Sequence, residues 1–297
     1  MDQVIQNVIN ALSLGGIYAL LALGLAIVYS ILQLINFAHG ALLTTAGYAM
    51  YFAISAGMPF AVAVILAIVA STVAAMLMER IGFRPLRGAN FAILILSSYA
   101  INLIMVTMFQ VFISARAKSV NVPSWIEGSL QLGGVQVGVV DLVTIGATVV
   151  ALVSLVVFFQ KTKGGISIRA AAADFDIARL MGIRANVVIA GAFGLSGLLA
   201  GVAGVLLVAK RGSVDPHLGD IPVIKAFIAA TIGGLGSLPG AVAGGFFLGA
   251  VEICLQATLP DALQAYRDAF VLSLVILVPL IRPGGLVRAQ EPEGASA

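Results

Sequence analysis

Between Gln160 and Asn186 the chain reads QKTKGGISIRAAAADFDIARLMGIRAN, a polar island in an otherwise apolar sequence. Lys161, Lys163, Arg169, Asp174, Asp176, Arg179 and Arg184 crowd into it, with a long hydrophobic run on either side. From Ile168 to Met181 the spacing predicts one short amphipathic helix. Ile168, Ala171, Ala172, Ile177, Leu180 and Met181 are apolar, and charges fill many of the positions between. Gly164 and Gly165 read as a loop before that helix, and Gly182 stands where a helix C-terminal stop belongs. A structured polar helix between two membrane spans implies that something soluble docks there. The plainer alternative is a surface helix that merely joins the spans.

The flanks of this island set the fold class. The chain is 61% hydrophobic and 10% charged, whereas a soluble domain is about 45–50% apolar and about 25% charged. Apolar stretches of about 20 residues, long enough to cross a bilayer as a helix, recur along the whole length. The expectation is an all-α integral membrane protein of roughly nine transmembrane segments (eight to ten), one transmembrane domain over residues 1–297. The net charge of +3 comes from basic residues spread over loops that flank the spans, which does not favour nucleic acid. Cys254 is the one cysteine, so an internal disulfide and a cysteine-based metal cluster are excluded. Met1-Asp2-Gln3 offers no basic region before the first run, which is therefore expected to be a retained span and not a cleaved leader.

Runs are expected at about Val8–Leu32, Ala41–Ile54, Phe60–Met78, Phe91–Ile113 and Val139–Phe159 before the island. After it come Val187–Val208, Ile221–Ile232, Ala241–Leu255 and Ala269–Ile281, then a polar tail over 282–297. Ser114–Gly138, with Pro123 and Trp125, reads as an external loop carrying an interfacial aromatic anchor. With the N-terminus outside and nine crossings, the Arg80–Arg87 loop, the 160–186 loop and the tail all fall inside. They hold ten of the sixteen Lys and Arg residues, in keeping with the positive-inside rule. Lys210 and Arg211 then lie outside, against it.

Two interruptions, Asn36–Gly40 and Gly233–Gly240, each stand beside a short apolar run. Paired broken helices of this kind form substrate paths in transporters built from two related halves, because unwound backbone supplies hydrogen-bonding groups at membrane depth. That reading makes Asn36, Phe37, His39, Gly40, Gly233, Gly234, Gly236 and Ser237 candidates for the path; ordinary inter-helix turns are the alternative. Gly234-Leu235-Gly236 is not a dinucleotide fingerprint, since Pro239 stands where the third glycine belongs and no strand precedes it. His39 reads either as a substrate or gating contact or as a packing residue, and Asn36 needs a partner or the path. Glu252 lies within a span, and a pairing with Lys225 would neutralise both. Asp141 and Glu79 sit at span ends, where a charge is cheap.

Several separate blocks resemble the membrane permease subunit of branched-chain amino-acid ABC importers, the LivH-like type. They are Gly16–Leu20 with Ala22–Leu25, Ile35–Gly40, Arg84–Arg87, Arg169–Ile183, Lys225–Phe227, Gly233–Ala241 and Arg282–Leu286, so the similarity covers nearly the whole chain. The resemblance implies a non-enzymatic permease that moves aliphatic amino acids inward across a bacterial inner (cytoplasmic) membrane. It implies as partners a second homologous permease, two ATP-binding subunits and a periplasmic substrate-binding protein. Urea, short amides or another small solute as cargo, or a stand-alone ion-coupled carrier, are the alternatives. It makes 160–186 the loop that couples to the ATPase, through Arg169, Ala172, Asp174, Ala178, Arg179, Leu180, Met181 and Gly182. The broader coupling motif begins Glu-Ala-Ala; here the alanines follow Arg169, so a salt bridge from that glutamate is not expected. No Gly-x-x-x-x-Gly-Lys phosphate loop occurs, so no cofactor is expected in this chain, and ATP would be bound by the partner subunit.

Overall fold

The computed structural model describes residues 2–132 and 135–273. It is a bundle of helices: α1 (Asp2–Leu32), α2 (His39–Ser55), α3 (Phe60–Met78), α4 (Phe91–Phe112), the short α5 (Ser124–Glu127), α6 (Val139–Lys161), α7 (Lys163–Ala173), α8 (Phe175–Leu180), α9 (Ala185–Arg211), α10 (Asp220–Gly233) and α11 (Leu238–Thr258). Six of them, α1, α3, α4, α6, α9 and α11, are long and apolar enough to cross a membrane. The chain is thus a multi-pass membrane protein. The run expected over 269–281 is described only as far as residue 273, and the 282–297 tail lies outside the described residues.

The helices divide into a core and a rim, and composition explains which is which. The main apolar windows of α1 and α9 are mostly buried, whereas those of α3, α4 and α6 are mostly exposed. An exposed apolar helix is what a lipid-facing or partner-facing span requires. Small residues bring the core helices together and seat one face of α3 against them. Gly197, Gly201 and Gly204 of α9 lie against Ser71 and Ala75, against Ile68, and against Leu43. Gly245 and Gly249 of α11 lie against the α1 backbone at Ala19 and Gly15.

The ends segregate. Arg87 bonds Asn186 across the end that carries α7 and α8, so the α3–α4 connection and the polar island share one side. The opposite end carries the only strand pairs among the described residues, a departure from the all-α expectation. β1 (Lys118–Ser119) pairs with β4 (Ser213–Val214), and β2 (Ser129–Leu132) with β3 (Val135–Gly138), both antiparallel. These segments lie between spans, where the backbone must find partners without a helix. The two cations that stood against the charge rule are paired at this end. Lys210 Nζ lies 2.7 Å from Asp141, and Arg211 3.7 Å from Asp215.

The Arg80–Arg87 stretch is not the open loop expected. It is a π turn (Glu79–Phe83) followed by a 3-10 turn (Arg84–Leu86), and Glu79 is buried and ion-paired with Arg87. A carboxylate that reads as cheap at a span end is folded under its own loop and held there.

Candidate functional site

The polar island folds as two helices, not one. Thr162 caps α7 by accepting from the Gly165 N–H at 3.0 Å, and the helix runs straight through Gly164 and Gly165. A side chain at Gly165 would strike the Phe158 carbonyl, so glycine there lets α7 fold back tightly on α6. Asp174, at φ −154° and ψ 110°, breaks the run. Its carboxylate accepts from the Ile177 N–H at 2.9 Å and starts α8. A short acceptor side chain competes with the helical backbone and wins a cap instead. Gly182, at φ +85°, closes α8 as expected, with its N–H on the Arg179 carbonyl at 3.0 Å and the Ile183 N–H on Ala178 at 3.1 Å.

This fold sorts the coupling candidates. Ile168, Ala171 and Ala178 are buried, and Ile168 reaches Gly191 of α9, so the pair of helices is packed onto the bundle. Arg169, Ala172, Asp174, Arg179 and Gly182 are exposed. Leu180 and Met181 are 86% and 79% exposed, an apolar tip projecting from the most basic end of the molecule. Replacing Asp174 with Ala removes the cap and is expected to cost α8 about 1 kcal/mol. Amide exchange at Ile177–Leu180 should rise about fivefold without a change in global melting, because the loss is local.

The interruptions are not paired as the sequence suggests. Gly233 and Gly240 pack face to face, closing a tight α10–α11 hairpin whose Gly236 lies near Tyr29, close to the α7–α8 end of α1. Gly234 and Gly236 take positive φ, and Ser237 caps α11 through the Gly240 N–H at 3.2 Å. The partner of the Asn36–Gly40 turn is instead the segment entering α10. A Cβ on Gly40 would lie 2.6 Å from the Gly219 carbonyl oxygen, and the Gly219 N–H donates to Thr44 Oγ1 at 3.1 Å. Two helix N-termini, those of α2 and α10, therefore meet.

Asn36 and His39 are fully buried. The Asn36 carboxamide accepts from the Ala38 N–H, and the His39 ring packs against Gly24 with Nδ1 3.2 Å from Ser196 Oγ. In this conformation both are packing residues. Phe37 is the partly exposed member: its N–H donates to Ser98 Oγ at 3.2 Å and its ring meets Phe227 at 5.9 Å. It lines an apolar cleft of about 590 Å³ between α4 and α10, with Ile95, Tyr99 and Ile224.

Between α1, α10 and α11 the ion pair expected from sequence is present. Lys225 Nζ lies 2.8 Å from Glu252 Oε1, and both side chains are about 95% buried (6% and 5% exposed). The network is larger than sequence showed. Tyr18 Oη donates to Glu252 Oε2 at 2.8 Å, Asp268 accepts from Lys225 at 3.0 Å, and Arg267 lies 3.6 Å from Glu252. Lys225 and Glu252 neutralise each other where both are buried, and the partly exposed Asp268 and Arg267 add one charge of each sign at the edge. Asp215, His217 and Asp220 were legible only as a polar loop. The structure places His217 between α4 and α10, with Nε2 2.9 Å from Gln110 Nε2 and Nδ1 2.7 Å from Asp220 Oδ2. Gln110 lies near the end of an apolar run whose other polar residues, Ser97, Ser98, Asn102 and Thr107, form no motif that singles it out.

A profile of the family described as branched-chain amino acid transport system / permease component matches residues 7–279. The chain is 32% identical to the high-affinity branched-chain amino acid transport system permease protein BraD of Pseudomonas aeruginosa, over 97% of each chain. It is likewise 32% identical to the LivH permease protein of Escherichia coli K12, again over 97% of each. Among solved structures, PsaBC from Streptococcus pneumoniae in complex with Fab shares the fold at a TM-score of 0.53 and 16% identity, covering 92% of this chain and 91% of that one.

Proposed function

Because the chain belongs to the family of branched-chain amino-acid transport permeases, we propose that it is the membrane-spanning gate through which a branched-chain amino acid is imported. In this reading ATP is spent by separate subunits that grip the α7–α8 knuckle. Like its relatives it is a transport permease subunit and not an enzyme. One observation carries the reading: the apolar Leu180–Met181 tip stands in solvent on helices whose other faces are locked onto the bundle. A soluble subunit that grips this tip pulls on α6 and α9 as a unit, and Arg169, Asp174 and Arg179 around it set register.

The basic end is then the cytoplasmic side of a bacterial inner membrane. A second related permease and a periplasmic binding protein complete the system. Counting α2, α10 and the run over 269–281 with the six long helices gives nine segments. α2 and α10 are the two discontinuous helices in that count, replacing the pairing of interruptions read from sequence.

The test is Arg179→Glu and, separately, Gly182→Val, in cells that carry the partner subunits. Each is expected to cut uptake at least about tenfold, while membrane insertion and protein level are unchanged. A single thiol at Met181→Cys in a Cys254→Ala background should react only after the cells are permeabilised. Labelling of sealed cells, or full uptake by both variants, would remove the docking role.

A further inference from the structure

A long apolar groove lies between α6 and α9, and we propose that it seats an acyl chain of an anionic phospholipid whose phosphate is held by Lys161 and Lys163. The inference goes beyond the transport reading and holds for whatever solute the permease carries.

The groove is as long as a bilayer is thick. Its α6 lining runs from Val140 through Thr144, Ala147 and Ala151 to Leu155 and Phe158, a stripe of three- and four-residue steps on one helix face. At about 1.5 Å per residue that stripe is about 27 Å long, close to a hydrocarbon core of about 30 Å. Leu195, Leu199, Val202 and Leu206 of α9 line it too, with Phe60, Val64 and Ile68 of α3. Thr144 turns its hydroxyl onto the Val140 carbonyl at 2.7 Å, so it asks nothing of an occupant. Trp125, 61% exposed and 6.4 Å from Phe60, stands at the end where α6 begins, the placement of an interfacial aromatic.

The groove is too narrow for a helix. A volume of about 600 Å³ over that length gives a mean cross-section of about 22 Å², a slot about 5 Å wide. A helix with its side chains is about 10–12 Å across. A single methylene chain fits, because carbons pack about 3.5–4 Å apart. The walls agree. Helices associate in lipid through small residues, whereas most of this lining is Val, Leu and Phe. Gly194, Gly197, Gly201 and Gly204 of α9 are already taken up by α2 and α3.

Charge at one end selects the lipid. One turn beyond Phe158 the same stripe reaches Lys161, the last residue of α6, and Lys163 opens α7. Both are exposed. No acid occurs between Asp141 and Asp174, so no acid on this stretch competes for them. At the other end of α6 the cation is already neutralised, with Lys210 on Asp141. Lysine binds phosphate as a point charge, and basic residues at the bilayer boundary draw anionic lipids. From Lys161 to Ala151 is about 15 Å of helix, the depth of one leaflet. A chain anchored at the lysines therefore lies along Phe158, Leu155 and Ala151.

The experiment uses the full chain purified in detergent, titrated with dioleoylphosphatidylglycerol or dioleoylphosphatidylcholine and read by native mass spectrometry. Phosphatidylglycerol should bind about tenfold more tightly, on the scale of two lysines beside an anionic headgroup. Lys161→Gln with Lys163→Gln should abolish that preference, and Lys118→Gln at the opposite end should keep it. Ser154→Phe, at an exposed position lining the groove, should weaken both lipids at least about tenfold, the loss of a few buried methylenes. Its melting temperature should not change. A preference that survives without the two lysines, or binding untouched by Ser154→Phe, would overturn the site. Chains that pair instead of retaining lipid, and separate on Ser154→Phe, would assign the groove to a second copy and overturn it equally.

Discussion

Replacing Lys225 with Met is expected to destabilise the solubilised permease by about 3–5 kcal/mol, the range for breaking a buried ion pair from one side. Glu252 would be left about 95% buried with its cationic partner gone (5% exposed), holding only the Tyr18 hydroxyl and a distant Arg267. Arg267 at 3.6 Å is itself partly exposed and does not replace a 2.8 Å contact. Thermal unfolding followed in detergent is the measurement. The double variant Lys225→Met with Glu252→Gln should recover most of the loss, because no uncompensated charge stays inside and Asp268 and Arg267 reach solvent. A double variant as unstable as the single one would show that the network holds α10 to α11 by its shape and not by its charge balance.

Substituting Gly245 with Val should be nearly as damaging, by about 3 kcal/mol, at the upper end of what overpacking costs. A Cβ at that position collides with the Cα and backbone N of Ala19, and one at Gly249 with the same atoms of Gly15. Backbone has no rotamer to yield, so α1 and α11 would have to separate along their length. The expected result is a fall in folded yield on size-exclusion chromatography and a lower melting temperature. Gly146→Val on α6, where the added carbon meets nothing within 4 Å, should be tolerated. An unaltered melt for Gly245→Val would mean that the α1–α11 contact is not as close as the structure places it.

Composition and hydrophobic run length were enough for the fold class, because a bilayer leaves few ways to satisfy a backbone. The Gly182 stop was legible because a residue at positive φ has a narrow chemical signature. The Lys225–Glu252 pair was legible because opposite charges in neighbouring spans have little else to do. The break at Asp174 was harder to see, since Asp is compatible with a helix interior and with a cap, and only the packing of α7 against α6 and α9 decides which.

Read residue by residue, the chain is already a helical membrane protein with one structured polar island. Transfer of apolar side chains from water and the satisfaction of backbone polar groups are local and additive along the chain. Which breaks meet is settled by the packing of the helices. Gly40 finds Gly219 and not Gly233, and Gln110 finds His217 across 107 positions of chain. Such contacts depend on how helices cross, which small residues at matching heights control, and no single segment carries that information.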